Sequence, residues 1–244
     1  MTAVRLDSVT KSYSRRPVRQ FLRSFLWSRL KQAPQEPFYA LQEVSLAVHE
    51  GESLGVVGVN GAGKSTLLSV IAGLCWPDRG QVQVQGKLAA LLELGSGFHP
   101  DLTGAENARL NAALLGLSRR EVREKFDQIV EFSGIGEFIH EPLRKYSAGM
   151  TLRLAFAVAM AVEPDVLLID EVLAVGDRGF QAKCVDRIVR LKQRGRILIC
   201  ASHDMDVLRK LATRAIWLEH GRIVQEGPAE AVISAYETAL NHRS

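Results

Sequence analysis

A chain of 244 residues that is 47% apolar and 24% charged, with only 8 prolines, can bury a substantial core as one domain with a smaller lobe. This excludes the disordered and fibrous classes, and a net charge of +4 permits an acidic surface as partner without requiring nucleic acid. No stretch reaches the roughly 18 apolar residues of a membrane span and no signal-peptide pattern opens the chain, so action at a membrane would need another chain to cross it.

Residues 4 to 9 and 40 to 49 hold apolar side chains in short runs, Leu41, Val44, Leu46 and Val48 among them, closed by Glu50 and Gly51. They predict strands of a small sheet. Between them, residues 15 to 31 put Val18, Phe21, Leu22, Phe25, Leu26 and Leu30 at helical spacing among six basic side chains (Arg15, Arg16, Arg19, Arg23, Arg29 and Lys31). This is a basic amphipathic helix in an insertion over 15 to 34, ended around Pro34 and Pro37. It fits two readings equally: a helix against anionic head groups or lipid-linked phosphate, or an ordinary helix with solvated arginines.

From 53 to 59 a buried-type strand enters a glycine-rich loop and then a helix beginning near Lys64, the order of a phosphate-binding unit. Residues 98 to 163 are mostly helical in pattern, including an alanine-rich run over 154 to 162, whereas 166 to 169 and 197 to 200 predict buried parallel strands. A helical lobe is thus inserted between core strands. The tail returns to strands at 215 to 218 and 222 to 224 around the turn at His220 and Gly221, then closes on a helix from 229 to about 240. Cys75, Cys184 and Cys200 are odd in number and show no metal spacing, which argues for a reducing compartment.

Gly58, Val59, Asn60, Gly61, Ala62, Gly63, Lys64 and Ser65 match G-x-x-x-x-G-K-[ST] between a strand and a helix. Small residues let backbone amides close around phosphate oxygens at the positive end of a helix. Lys64 would neutralise the β and γ phosphates, Ser65 would ligate Mg²⁺, and Thr66 would support the helix start. Residues 165 to 171 form an apolar strand ending in Asp170 and Glu171, which places two acids at the same sheet edge. Asp170 suits the magnesium shell and Glu171 the activation of an attacking water. The strand over 197 to 201 likewise delivers His203 within reach of a γ phosphate.

Tyr146, Ser147, Ala148, Gly149 and Met150, just ahead of the alanine-rich helix and about twenty residues before Asp170, resemble the signature motif of ATP-binding cassette (ABC) ATPases. The resemblance implies an α/β fold, a P-loop NTPase core with an inserted helical subdomain over about 97 to 163 and a small antiparallel β subdomain, within one ABC ATP-binding domain spanning 1 to 244. It implies that Ser147 and Gly149 contact the γ phosphate of ATP bound by a second copy, in a head-to-tail homodimer. Ala174, Val175, Gly176 and Asp177 would form the dimer-contact loop, and Tyr13 would stack on adenine, with Tyr39 as competitor. The family's glutamine ahead of the helical lobe is absent, and Glu93 is the nearest polar substitute for it at the metal.

The chain's YSAGM, ELGSGFHPDLTGAEN and VGDRGFQAKC stretches are similar to those of ATPases from polysaccharide exporters. That branch implies a subunit on the cytoplasmic face of the bacterial inner membrane, paired with an integral-membrane permease that moves a lipid-linked polysaccharide. O-antigen stands ahead of capsule or teichoic-acid polymers, and no carbohydrate-binding domain is expected after the motor. The other readings are another ABC transporter such as a drug exporter, a soluble mechanoenzyme on ribosomes or DNA, or a small-molecule kinase. The last would have no use for a signature serine.

Overall fold

The computed structural model describes residues 2 to 14, 37 to 92, 94 to 170 and 177 to 241. The expected basic insertion at 15 to 34, Glu93, Glu171 and the loop residues Ala174, Val175 and Gly176 lie outside the described residues.

Two sheets organise the rest. β1 (Thr2–Tyr13), β2 (Phe38–His49) and β4 (Arg79–Val84) form an antiparallel sheet in the order β2-β1-β4. The second sheet is larger. It contains β3 (Ser53–Val57), β5 (Leu88–Leu91), β6 (Val166–Asp170), β7 (Ile197–Ala201), β8 (Arg214–Glu219) and β9 (Arg222–Pro228), ordered β5-β6-β7-β3-β8-β9. All neighbours in it are parallel except β8 and β9, whose antiparallel pairing follows from the short turn at His220 and Gly221.

The continuous apolar runs of β3, β6 and β7 are explained by burial on both faces. Along β6, Leu167 and Ile169 join one core cluster while Val166 and Leu168 join another on the opposite face. β7 divides the same way, Leu198 and Cys200 on one side and Ile197 and Ile199 on the other. Each such fully buried side chain contributes roughly 1.5–3 kcal/mol of transfer free energy. Burial pushes the thiols of Cys184 and Cys200 up to about 12, so both act as small apolar side chains.

Seven helices flank the sheets among the described residues: α1 (Lys64–Ile71), α2 (Gly104–Leu114), α3 (Arg119–Ser133), α4 (Ala148–Ala161), α5 (Arg178–Gln193), α6 (Met205–Leu211) and α7 (Ala229–Asn241). Between β5 and β6, α2, α3 and one side of α4 enclose a core of their own that includes Ala108, Ile129, Leu154 and Val158. Local chemistry fixes where these helices begin. Thr103 with Glu106, and Ser118 with Glu121, form reciprocal capping boxes at α2 and α3, and Gly134 ends α3 in the left-handed region at φ 64°. Phe132 of α3, Phe156 of α4 and Phe180 of α5 meet with ring centroids 5.7 to 6.0 Å apart, which joins the helical lobe to the sheet's helix layer. No helix among the described residues is long and apolar enough to cross a membrane.

Candidate functional site

Parallel pairing gathers the candidate residues. In the register, Val56 of β3 stands opposite Ala201 of β7, and Ala201 opposite Asp170 of β6. Three adjacent strands therefore finish on one row, and at the usual interstrand spacing that row spans about 10 Å. Everything that leaves these strands leaves at this edge: the glycine loop after Val57, the segment after Asp170, and the turn bearing His203.

The glycine loop is wedged in place by its lack of side chains. A Cβ on Gly58 would lie 2.3 Å from the Leu218 carbonyl oxygen, and one on Gly63, whose φ is 109°, would lie 2.3 Å from that of Ala40. Neither position can hold a larger residue without moving backbone. The Ala62 side chain is buried and its carbonyl accepts the Gly221 amide at 2.9 Å, which ties the loop to the β8–β9 turn. Asn60 and Gly61 are exposed, and a Cβ on Gly61 would meet nothing within 4 Å, so the mouth is open there.

Lys64 is 5% exposed, and its Nζ donates to the carbonyls of Gly58 at 2.8 Å and Val59 at 3.2 Å. The ammonium is thus seated inside the ring of backbone that surrounds it. α1 begins at this lysine with Gly63 as N-cap and no side-chain cap, its first backbone bond running from the Leu67 amide to the Gly63 carbonyl at 2.8 Å. Amides of its first turn, those of Ser65 and Thr66 among them, therefore have no acceptor within the helix, and the positive dipole end faces the loop. This is the chemistry a polyphosphate needs.

Thr66, in the first turn of α1, lies with Cys75 beside the Tyr13 hydroxyl. Tyr13 ends β1 next to this first turn with 45% of its surface exposed, and the Lys11 ammonium stands 5.6 Å from its ring centroid. Burial of the hydroxyl, followed by the neighbouring Cys75, raises the Tyr13 pKa. Tyr39 is equally exposed, one strand over, paired in register with Ser12. Both remain available to a flat ligand beside the loop.

Asp170 closes β6 with one carboxylate oxygen, Oδ1, buried and without a hydrogen-bond partner. An orphaned buried carboxylate oxygen costs free energy unless a cation or donor meets it. With the Ser65 hydroxyl exposed at the start of α1, the donor set is all oxygen, which fits a magnesium ion. His203 is exposed in a turn held from both sides: Ser202 Oγ accepts the Asp204 amide at 3.0 Å, and Asp204 caps α6 by accepting from Asp206 and Val207 at 3.0 and 3.1 Å.

Ser147 and Gly149 occupy a different place. Ser147 is the N-cap of α4, its Oγ accepting from the Met150 amide at 3.2 Å and its carbonyl accepting from the Thr151 amide at 3.0 Å. A Cβ on Gly149 would meet only Ser147 Oγ, at 3.9 Å. The helix start is therefore open and made of small groups. α4 returns to β6 from its far end, about 21 Å away for its length, and no hydrogen bond among the described residues joins Ser147 or Gly149 to the glycine loop.

Two supporting residues escape a reading of the sequence. Asn107 is fully buried and staples the preceding loop, accepting the His99 amide at 2.7 Å and donating to the carbonyls of His99, Leu102 and Thr103 at 3.0 to 3.1 Å. Arg153, in the second turn of α4, pairs with Asp177 at 3.8 Å and covers the Phe180 ring at 5.8 Å, connecting the serine-capped helix to the first turn of α5. The Phe180 amide, and after it Arg153, holds the Asp177 carboxyl below the usual aspartate range. An asparagine four residues before Asn111 is the sole sequence hint of the first; the second has none.

The ABC transporter family model matches residues 41–174. The chain is 50% identical over 203 residues, 83% of its length and 82% of the relative's, to the O-antigen export system ATP-binding protein RfbB of Klebsiella pneumoniae. It is 36% identical over 239 residues, 97% of its length and 43% of the relative's, to the teichoic acids export ATP-binding protein TagH of Bacillus anthracis. Among solved structures, the ATP-binding cassette MJ0796, a dimer in a post-hydrolysis state with ADP and phosphate bound, superposes with a TM-score of 0.74 at 25% identity over 93% of this chain and 98% of that one. A family model spanning more than half the chain, and half-identity to an ATP-binding protein across four-fifths of it, establish that the chain belongs to the ABC transporter family as an ATP-hydrolysing subunit.

Proposed function

We propose that the chain is the motor of an exporter that carries a lipid-linked polysaccharide, O-antigen in the first place, across the bacterial inner membrane. It works as a homodimer on the cytoplasmic face, bound to a permease that provides the path. The observation that supports the motor chemistry is the shared row of Val56, Ala201 and Asp170, from which the phosphate loop, the Asp170 carboxylate and the turn bearing His203 come off at one edge. The higher identity to the O-antigen relative than to the teichoic-acid one supports the substrate.

In this reading the loop amides and the Lys64 ammonium bind the β and γ phosphates, and Tyr13 stacks on the base. Ser65 and Asp170 would hold Mg²⁺, with Glu93 as a further oxygen donor. When bound, the ion neutralises charge on the phosphates. Glu171 takes a proton from the attacking water as it adds to the γ phosphorus, the bond from that phosphorus to the β–γ bridging oxygen breaks and ADP leaves, and His203 donates to a γ oxygen. Ser147 and Gly149 of the second copy close the other side, adding a hydroxyl and helix amides to the same phosphate. Their open, small-residue setting and their separation from the chain's own loop support a partner's phosphate as their ligand.

The substrate is tested in cells that assemble an O-antigen by this route. Deleting the chain should leave lipid-linked polymer accumulated inside and none at the surface, with both defects corrected by the wild-type chain and not by Lys64→Ala. Surface polymer that persists without the chain would overturn the assignment. A chain that restores teichoic-acid export instead would move it to the other substrate.

A further inference from the structure

A cavity of about 340 Å³ lies between α3, α4 and α5, on the far side of α4 from its serine cap. Its size is that of a small-ligand site, which typically runs from roughly 300 to 1,000 Å³. The floor is apolar: Ile129 and Phe132 from α3, and Ala157, Met160 and Ala161 from α4. Phe132 is held there by the Phe156 and Phe180 rings, so the floor is built of packed side chains.

The mouth is cationic on one side. Lys183 and Arg190 line it from α5, seven residues and so two turns apart on one helix face. Neither side chain has a hydrogen bond or ion pair among the described residues. Arg187 stands between them and is already engaged, donating to the Met160 carbonyl at 3.3 Å and lying 3.6 Å from Glu163. Glu131 and Asp186 also line the cavity, so with Arg187 paired to Glu163 the lining carries two uncommitted cations, Lys183 and Arg190, beside two carboxylates. The carbonyls at the end of α4, which would repel an anion, are occupied: Lys125 Nζ donates to Ala161 at 2.7 Å, and Arg187 takes Met160.

We propose that this cavity binds a small amphiphilic anion, its apolar body on Ile129, Phe132 and Met160 and its charged group between Lys183 and Arg190. The site is separate from the phosphate loop and involves none of the residues assigned to ATP. A ligand there touches the helical lobe through α3 and the sheet's helix layer through α5. The same chemistry could be supplied by a soluble metabolite or by a lipid headgroup with part of its chain.

Titrating the full chain with anilinonaphthalene sulfonate, an apolar body bearing one sulfonate, should show saturable binding of one molecule per chain, displaced by decyl phosphate and indifferent to ATP. The Lys183→Glu/Arg190→Glu variant should bind roughly tenfold more weakly, with the parent's thermal midpoint and ATPase rate. The Lys183→Gln/Arg190→Gln variant serves if charge reversal impairs folding. Uncharged N-phenylnaphthylamine should bind parent and variant alike. Equal sulfonate affinity in parent and variant, displacement by ATP, or binding that never saturates would overturn the proposal. If the variant also loses co-sedimentation with phosphatidylglycerol vesicles, the anion is lipid-borne; if it loses decyl phosphate alone, the anion is soluble.

Discussion

Replacing Lys64 by alanine should weaken ATP binding by roughly ten- to a hundredfold and carry turnover down with it. The ammonium is held before any ligand arrives, with Nζ fixed on the Gly58 and Val59 carbonyls and the side chain almost wholly buried. Little ordering is left to be done on binding, so most of the charge-assisted interaction reaches the phosphates. Removing it leaves two carbonyl oxygens at the centre of the loop, and these repel an anion. The fold should tolerate the change, because alanine is the better helix former and Lys64 opens α1 rather than packing in the sheet core. Calorimetric titration with ATP reads the effect directly. An unchanged dissociation constant would remove Lys64 from the phosphate site.

Glu171→Gln should lower turnover by about 10²–10⁴-fold while leaving ATP affinity largely intact. The substitution keeps size and shape and removes the ability to accept a proton. Glu171 follows Asp170 directly in the sequence, and Asp170 closes β6 on the row shared with Ala201 and Val56. Asp170→Asn should behave differently. It weakens the oxygen set proposed for magnesium, so its defect should shrink as Mg²⁺ is raised, and that of Glu171→Gln should not. A Glu171→Gln rate within tenfold of the parent would assign the proton transfer elsewhere.

The parts of the site that are local in sequence could be read before the fold was known. A phosphate loop is a continuous run of residues whose chemistry depends on the strand before it and the helix after it, and Gly58 to Ser65 carry both contexts. The buried strands at 166 and 197 were legible for a related reason: burial on both faces leaves an unbroken apolar run. Elsewhere tertiary contacts decided. β5, Leu88–Leu91, is made of leucine and alanine, which favour helix, and it becomes a strand through its parallel pairing with β6. β1 extends beyond the expected 4 to 9 because register shifts near Leu6 and Val9, with Ser8 at φ 48°, break its alternation. β4 is largely exposed, and Gly80 within it has φ 84°, so its residues lack the apolar signal of a core strand. Asn107 and Arg153 act through partners distant in the chain or through backbone carbonyls, which no local pattern records.

The claim on which the motor rests is that each ATP lies between the phosphate loop of one copy and the serine-led helix start of the other. Mixing two inactive proteins tests it most directly. Lys64→Ala keeps Ser147, and Ser147→Arg keeps Lys64, so a mixed dimer contains one complete site although neither protein alone has any. The account predicts silent ATPase assays for each variant and recovered hydrolysis when they are combined with ATP and Mg²⁺. Full activity of Ser147→Arg by itself, or continued silence of a mixture shown to contain the mixed dimer, would contradict it.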